Sequence, residues 1–135
     1  MAFKLEREKT ELTPYVLIDE ENGYMKLEGE SYHENIFDFF SEIKTWLTRY
    51  LNTDFSSFTF DVELKYFNST TVKILLGILR DMDKSTGVDK ITINWITTKN
   101  NKIIIECGER FQRGLSNLKI NFVYTEERMY IGGES

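Results

Sequence analysis

The chain has 135 residues, 41% of them hydrophobic, and a formal net charge of −5 at pH 7. This length suits one domain with one hydrophobic core, and the acidic balance without a basic run lacks the electrostatic footprint of a nucleic-acid binder. No apolar segment is long enough for membrane insertion, the start lacks the hydrophobic core of a signal peptide, and Cys107 is the only cysteine. The sequence therefore predicts a cytoplasmic protein with a single domain over residues 1–135, in which 1–13 and 126–135 are loosely ordered.

A β-hairpin is predicted after this first segment. Residues 15–18 and 24–28 are rich in strand-forming side chains and flank Asn22 and Gly23. Because Asn and Gly both tolerate a positive φ, this pair favours a tight turn between two antiparallel strands.

A helix is predicted from about Tyr32 to Leu51. Ser31 and Glu34 match a capping box, which places the helix start near Tyr32. The apolar residues then recur on one helical face, at Ile36, Phe40, Ile43, Leu47 and Leu51. Phe37, Phe39 and Trp46 widen that face, so we expect this helix to be deeply packed.

The next strand and helix meet at a group of small polar side chains. Apolar residues at alternate positions of 58–66 predict a half-buried strand. The following helix is predicted to begin near Ser69, where Asn68 can cap the free backbone N–H groups of the first turn. The neighbouring hydroxyls would then lie at the positive end of the helix dipole, which favours a phosphate group.

The rest of the chain predicts a strand over 91–96, a helix carrying Ile104, Cys107 and Phe111, and a last strand over 119–124. Strands that alternate, rather than forming continuous apolar runs, favour a mixed sheet with helices mainly on one face. The predicted fold is a two-layer α/β domain in the order ββαβαβαβ, with right-handed crossovers.

Catalytic and metal-binding patterns are weak in this sequence. Neither the phosphate-binding loop nor the dinucleotide-binding glycine pattern is present. A small enzyme would have to use His33, expected in the first helical turn, with Glu34 and Ser69. Glu28, Glu30 and Glu34 are interpreted as a solvated acidic edge, so no metal and no cofactor are predicted.

The hydroxyl cluster offers a possible regulatory site. Phosphorylation of Ser69, Thr70 or Thr71 would add about −1.5 to −2 charges at a helix start. The fold tolerates this charge, but a partner docked there would be repelled. The alternative interpretations are an ordinary helix cap and a constitutive scaffold domain without a switch.

Several short motifs, which follow one another along nearly the whole chain, match the motifs of one protein family. Gly29-Glu30-Ser31-Tyr32-His33-Glu34-Asn35 resembles G-x-S-Y-P-E-N, and Tyr66-Phe67-Asn68-Ser69-Thr70-Thr71-Val72-Lys73 resembles Y-[FL]-N-T-S-S-x-K. Thr10 and Thr13-Pro14 lie before these segments, and Trp95 and Gly108-Glu109-Arg110-Phe111 follow them at suitable spacing. In these motifs the chain resembles the SiaC-like bacterial regulatory phosphoproteins that control biofilm formation.

The resemblance implies a non-enzymatic regulatory domain with a fold similar to anti-sigma-factor-antagonist (STAS) domains. It implies three protein partners, namely a serine/threonine kinase, a PP2C-type phosphatase and a diguanylate cyclase that the unphosphorylated form binds and activates. The phosphorylated threonine of the family falls on Ser69, with Thr70 as a competitor. The partner-binding positions implied by the same motifs are Tyr32, Glu34, Asn35, Tyr66, Asn68, Ser69, Thr70, Thr71 and Lys73.

One position and one loop depart from the family pattern. His33 replaces a proline, and residues 97–102, with Lys99 and Lys102, replace an acidic stretch, which reverses the local charge. We also expect Glu34 and Asn35 to lie near Ser69, because the carboxyl ends of parallel strands share one edge of a sheet.

Overall fold

The computed structural model describes residues 2–125, which form a single mixed sheet with three α-helices. The elements follow one another as β1 (Lys4–Arg7), β2 (Tyr15–Asp19), β3 (Tyr24–Ser31), α1 (Ile36–Leu51), β4 (Phe58–Phe67), α2 (Ser69–Lys84), a 3₁₀ turn (Val88–Lys90), β5 (Ile91–Thr98), α3 (Lys102–Arg113) and β6 (Ile120–Thr125).

The strands of the described chain lie side by side in the order β1-β2-β3-β4-β5-β6. The first two pairings are antiparallel and the last three are parallel. Each helix joins two neighbouring parallel strands, so right-handed crossovers place α1, α2 and α3 on one face. Burial alternates residue by residue along β2 to β5, as expected for a sheet covered on one side. The predicted mixed α/β fold is therefore confirmed.

The start of the chain differs from the prediction that residues 1–13 are loosely ordered. Lys4–Arg7 form β1 and pair antiparallel with β2. Leu5 packs against the core, and the Phe3 ring stacks on Trp46 with 6.0 Å between ring centroids. Two apolar side chains among charged ones are enough to hold a strand once a paired neighbour supplies the hydrogen bonds. The element order is thus βββαβαβαβ, and the prediction for 126–135 lies outside the described residues.

The predicted hairpin is confirmed as β2 and β3, with a turn that requires glycine. Gly23 has a φ of +62°, a left-handed conformation that L side chains rarely adopt. A Cβ there would lie 2.2 Å from the backbone oxygen of Ser57, while Thr59 N donates to Gly23 O at 2.9 Å. The turn therefore packs directly against the start of β4.

The predicted capping box at the start of α1 is wrong. Ser31 is the last residue of β3, and α1 begins at Ile36 after Asn35, whose side chain makes no capping hydrogen bond. The parallel pairing of Ser31 with Phe67 extends the strand, and the Ser31 hydroxyl is buried. His33 consequently precedes α1 instead of lying in its first turn.

The core lies between the sheet and the three helices. Each helix buries one face. The buried residues include Phe40 on α1, Leu75 on α2 and Phe111 on α3. These side chains pack on the covered face of the sheet around Phe60 and Trp95. In the described part of the chain, no helix has both the length and the apolar character needed to cross a membrane.

Candidate functional site

The carboxyl ends of β3, β4 and β5 and the starts of the three helices lie at one edge of the sheet, here called the carboxyl edge. β3 and β4 pair in parallel as far as Ser31 opposite Phe67, so the segments that follow both strands meet there. The loop between β1 and β2 also reaches this edge, because Leu12 O accepts hydrogen bonds from Tyr32 N at 2.9 Å and His33 N at 3.1 Å. β3 and β4 are therefore parallel, as the predicted shared edge requires.

The start of α2 is capped by Asn68. Its Oδ1 accepts a hydrogen bond from Thr71 N at 2.9 Å, and its backbone N–H donates to Ser31 O at 3.1 Å. Ser69 is exposed, and its hydroxyl has no hydrogen-bond partner within residues 2–125. The predicted cap is therefore confirmed, and it leaves the next hydroxyl along the chain accessible.

Thr71, predicted to bind a partner, lies inside the protein. The Thr71 hydroxyl donates to Ser31 O at 2.9 Å, so the Ser31 hydroxyl is the donor in the second contact, also 2.9 Å, to Thr71 Oγ1. Both side chains are 0% exposed. These bonds join the end of β3 to the first turn of α2, which makes Thr71 a positioning residue for the surface around Ser69.

Thr71→Val is expected to lower the free energy of unfolding by about 2 kcal/mol, because it leaves the buried Ser31 hydroxyl without a partner. Thr71→Ser keeps the hydroxyl and is the control, with an expected loss of less than about 1 kcal/mol. Urea unfolding of the two variants compares the effects. Equal losses would contradict the role assigned to this hydrogen-bonded pair.

An aromatic pair lies beside the start of α2. The Tyr32 and Tyr66 rings meet edge to face with 5.2 Å between their centroids, and Tyr66 is 56% exposed. Partial burial and the neighbouring carboxylates of Glu30 and Glu11 raise the pKa of the Tyr32 hydroxyl. Exposed tyrosines of this kind are typical of protein interfaces, where the ring packs and the hydroxyl remains hydrated.

The remaining predicted site residues lie on the same edge at different depths. Glu34 and Asn35 are exposed just before α1, Thr70 is half-buried, and Lys73 is exposed. Because Lys73 lies four residues after Ser69 in α2, the two side chains share one helical face.

The catalytic alternative gains no support from these positions. His33 Nδ1 accepts a hydrogen bond from Asn35 N at 2.9 Å, and no hydrogen bond within residues 2–125 joins His33 to Ser69. In the same described range, no group of three or more His, Cys, Asp or Glu side chains could hold a metal ion. The side chains that the enzyme hypothesis requires are therefore not joined as a base and its nucleophile.

The carboxyl edge carries a set of exposed apolar side chains, of which only Tyr66 was predicted from the sequence as a binding residue. We call them the apolar rim: Leu12, Phe37, Tyr66, Ile103, Val123 and Tyr124. They are the exposed large hydrophobic residues within 2–125, and Phe37 and Ile103 are 63% and 78% exposed. Phe37, expected to be packed, instead lies on the outer side of α1. Their shared location depends on how the strand ends align in the sheet, which the local sequence does not show.

A cleft of about 690 Å³ opens beside the apolar rim, between the β1–β2 loop and the ends of β3 and β4. Its lining consists of Lys9, Thr10, Glu11, Glu28, Gly29, Glu30, Tyr32 and Lys65. Side chains of both charges face this space, which suits contacts with charged side chains of a protein partner.

Together, these features describe a small α/β domain whose carboxyl edge carries exposed apolar, aromatic and hydroxyl groups. The same fold occurs in SiaC of Pseudomonas aeruginosa, with a TM-score of 0.77, 22% identity, and coverage of 93% of this chain and 99% of that chain. It also occurs in the crystal structure of the diguanylate cyclase SiaD in complex with its activator SiaC, from the same organism. That match has a TM-score of 0.81, 24% identity, and coverage of 90% of this chain and 99% of the matched one.

The family model described as SiaC family regulatory phosphoprotein matches residues 7–125, and the chain belongs to this family. An uncharacterized protein of Pseudomonas aeruginosa (strain UCBPP-PA14) is 26% identical over 108 residues, which cover 79% of this chain and 86% of the relative. The family resemblance predicted from the sequence motifs is therefore confirmed. The similarity to STAS domains stays a prediction.

Proposed function

We propose that this protein is a non-enzymatic switch that binds and activates a diguanylate cyclase, and that phosphorylation of Ser69 blocks the binding. Membership of a family of regulatory phosphoproteins supports the regulatory role, and the complex of SiaD with its activator SiaC supports a cyclase as the partner. The observation that carries the proposal is the exposed Ser69 hydroxyl at the start of α2, which has no hydrogen-bond partner among the described residues and lies beside the Tyr32–Tyr66 pair and the apolar rim.

Burial supports Ser69 as the phosphorylated residue among the three neighbouring hydroxyls. Thr71 is 0% exposed and bonded to Ser31, so a kinase could reach it only after local unfolding. Thr70 is half-buried, whereas Ser69 is exposed. A kinase must bind the target hydroxyl in its own active site, which favours the most accessible of the three hydroxyls.

The helix start also explains how a phosphate would act without unfolding the domain. Asn68 satisfies the N–H of Thr71, whereas the N–H groups of Ser69 and Thr70 have no partner inside α2. A phosphate on Ser69 would be stabilised by these donors and by the helix dipole. A partner covering Tyr66 and the apolar rim would have to desolvate that charge, which disfavours the complex.

The kinase that adds the phosphate and the PP2C-type phosphatase that removes it belong to the same proposal. The need of the kinase for ATP supports a cytoplasmic location for this cycle. The net effect is that dephosphorylation releases a surface for the cyclase and raises cyclic di-GMP.

Phosphorylation is expected at Ser69 and is expected to weaken cyclase binding at least about 10-fold, through charge repulsion and desolvation. The chain is incubated with the kinase of its own organism and ATP, and its intact mass is measured, together with Ser69→Ala and Thr70→Ala. Ser69→Ala should take up no phosphate, whereas Thr70→Ala should match the wild type. If Ser69→Ala is phosphorylated at the wild-type rate, the assignment of Ser69 as the phosphorylated residue is wrong.

The phosphomimetic Ser69→Glu isolates the effect on binding. Its matched control is Ser56→Glu, which adds the same charge at an exposed position before β4, at the opposite edge of the sheet. Affinity for the cyclase and cyclic di-GMP output should fall only in Ser69→Glu. If both variants bind like the wild type, the protein is a scaffold without this switch.

A further inference from the structure

The charges around the apolar rim are separated by sign. On the side of β4 to β6 the exposed charges include four lysines, here called the basic half: Lys65, Lys73, Lys99 and Lys102. On the side of β1 to β3 lie carboxylates, here called the acidic half: Glu11, Glu30, Glu34 and Asp38. Two positive charges lie on the acidic side, Lys9 in the β1–β2 loop and Arg7 at the end of β1, and Arg7 is paired with Glu42. The prevailing sign of the exposed charge therefore changes across the carboxyl edge, and the two signs meet in the cleft that Glu11, Glu30 and Lys65 line.

The lysines of the basic half form no ion pair within residues 2–125, although the charge of Glu63 on β4 interacts with that of Lys65. The ion pairs within residues 2–125 are Arg7–Glu42, Lys26–Glu28, Arg49–Glu20 and Lys90–Asp54. None of them includes a lysine of the basic half, so the positive potential there is available to a binding partner. Exposed lysines that form no ion pair within the protein favour an incoming anion.

The loop that carries Lys99 and Lys102 is held against the end of β4, the strand that leads into α2. Asn101 Nδ2 donates to Lys65 O at 3.4 Å, and Asn101 also caps α3 by accepting from Ile104 N at 3.4 Å. Lys65 precedes Tyr66, the exposed ring of the aromatic pair. The basic half and Ser69 therefore belong to one continuous surface.

We propose that this edge binds a protein segment that places apolar side chains on the apolar rim and carboxylates against the basic half. This inference rests on the proposed function and names the chemistry of the partner's contact. A nucleic acid or an anionic membrane fits less well, because the acidic half and the net charge of −5 would repel an extended polyanion. A protein segment can match both signs.

The same charge separation explains why a phosphate on Ser69 would be disruptive. Lys73 shares the helical face of Ser69, so the phosphate would pair with the lysine that otherwise meets a carboxylate of the partner. The phosphate thus takes the place of the partner's acidic group and repels the others.

The test reverses two charges of the basic half in the full-length protein. Lys99→Glu with Lys102→Glu is compared with Lys44→Glu and Lys119→Glu, which make the same charge change at exposed positions on α1 and before β6. Affinity for the cyclase is measured by calorimetry at about 50 mM and about 500 mM NaCl, since salt screens exposed charges. Circular dichroism melting curves verify that both proteins fold.

The expected result is a loss of at least about 10-fold at low salt for Lys99→Glu with Lys102→Glu, and less than about 2-fold for the control pair. The difference should shrink at high salt. If the wild type binds the cyclase and both double variants bind equally well, the acidic contact is overturned while the proposed function stands. If the wild type does not bind at all, the proposed function itself fails. Tighter binding to a single-stranded oligonucleotide than to the cyclase would overturn the choice of a protein segment.

Discussion

Asp83→Ala is expected to lower the free energy of unfolding by about 4 kcal/mol, because three backbone donors lose a charged acceptor. Asp83 lies in the last turn of α2 and is 7% exposed. Its Oδ1 accepts from Asn117 N at 2.7 Å and Leu118 N at 2.6 Å, and its Oδ2 accepts from Ser116 N at 3.1 Å. The carboxylate thus holds the loop between α3 and β6 against α2.

Urea unfolding at neutral pH measures the loss, and Asp81→Ala is the matched control. Asp81 is exposed on the same helix, so its replacement should change the free energy of unfolding by less than about 0.5 kcal/mol. If Asp83→Ala is no more destabilising than Asp81→Ala, the loop does not depend on this carboxylate.

The same carboxylate makes stability depend on pH. Burial by itself would raise the pKa of Asp83, but the N–H groups of Ser116, Asn117 and Leu118 together lower it below the ordinary value of 3.8. The unfolded chain therefore binds this proton more readily, and the stabilisation is present above pH 3.8 and lost as the pH falls through the lower folded pKa. Between about pH 5 and about pH 2, the wild type should lose more stability than Asp83→Ala.

Gly108→Ala is expected to destabilise the protein by about 3 kcal/mol through overpacking. A Cβ at this position would lie 2.7 Å from Trp95 Nε1 and 2.8 Å from Phe122 Cε2. Trp95 is 1% exposed and donates a hydrogen bond to Ile104 O at 2.9 Å, so it has little room to move. Chemical denaturation, with tryptophan fluorescence as the signal, measures the loss.

Gly77→Ala is the control for this substitution, with the opposite expected sign. A Cβ there meets no atom within 4 Å, and alanine is the better helix former. The free energy of unfolding should rise by about 0.5–1 kcal/mol. If Gly108→Ala also stabilises the protein, α3 does not lie as close to β5 as the structure indicates.

The helices, and most strands, could be predicted because their signals are local. Apolar spacing predicts α1, α2 and α3, and Asn68 caps α2 as predicted because a cap bonds within its own helical turn. β1 was missed because its stability comes from pairing with β2 rather than from its own short pattern. The capping box failed for a related reason, since the Ser31 hydroxyl is used by Thr71, forty residues away in the chain.

The candidate site could be predicted as a cluster of hydroxyls but not as a surface. The pattern around Ser69 leaves three hydroxyls equivalent, and their burial depends on contacts with β3 that the local sequence does not contain. Phe37 was expected to widen the apolar face of α1, yet it is 63% exposed, because it lies on the outer side of the helix while Ile36 and Phe40 on the inner side are 0% exposed. The spacing of apolar residues along a helix does not by itself show which of them are buried against the sheet and which are exposed at its edge.

The sequence by itself determined the family, the α/β class, the helix start at Ser69 and its Asn68 cap, because each depends on ordered motifs or on neighbours within a turn. Only the tertiary structure decided that Ser69 is accessible while Thr71 is buried, and that the apolar rim and the basic half share one edge. Those features join residues from separate strand ends. The parallel alignment of β3 to β6 brings these residues together, and no local pattern encodes that alignment.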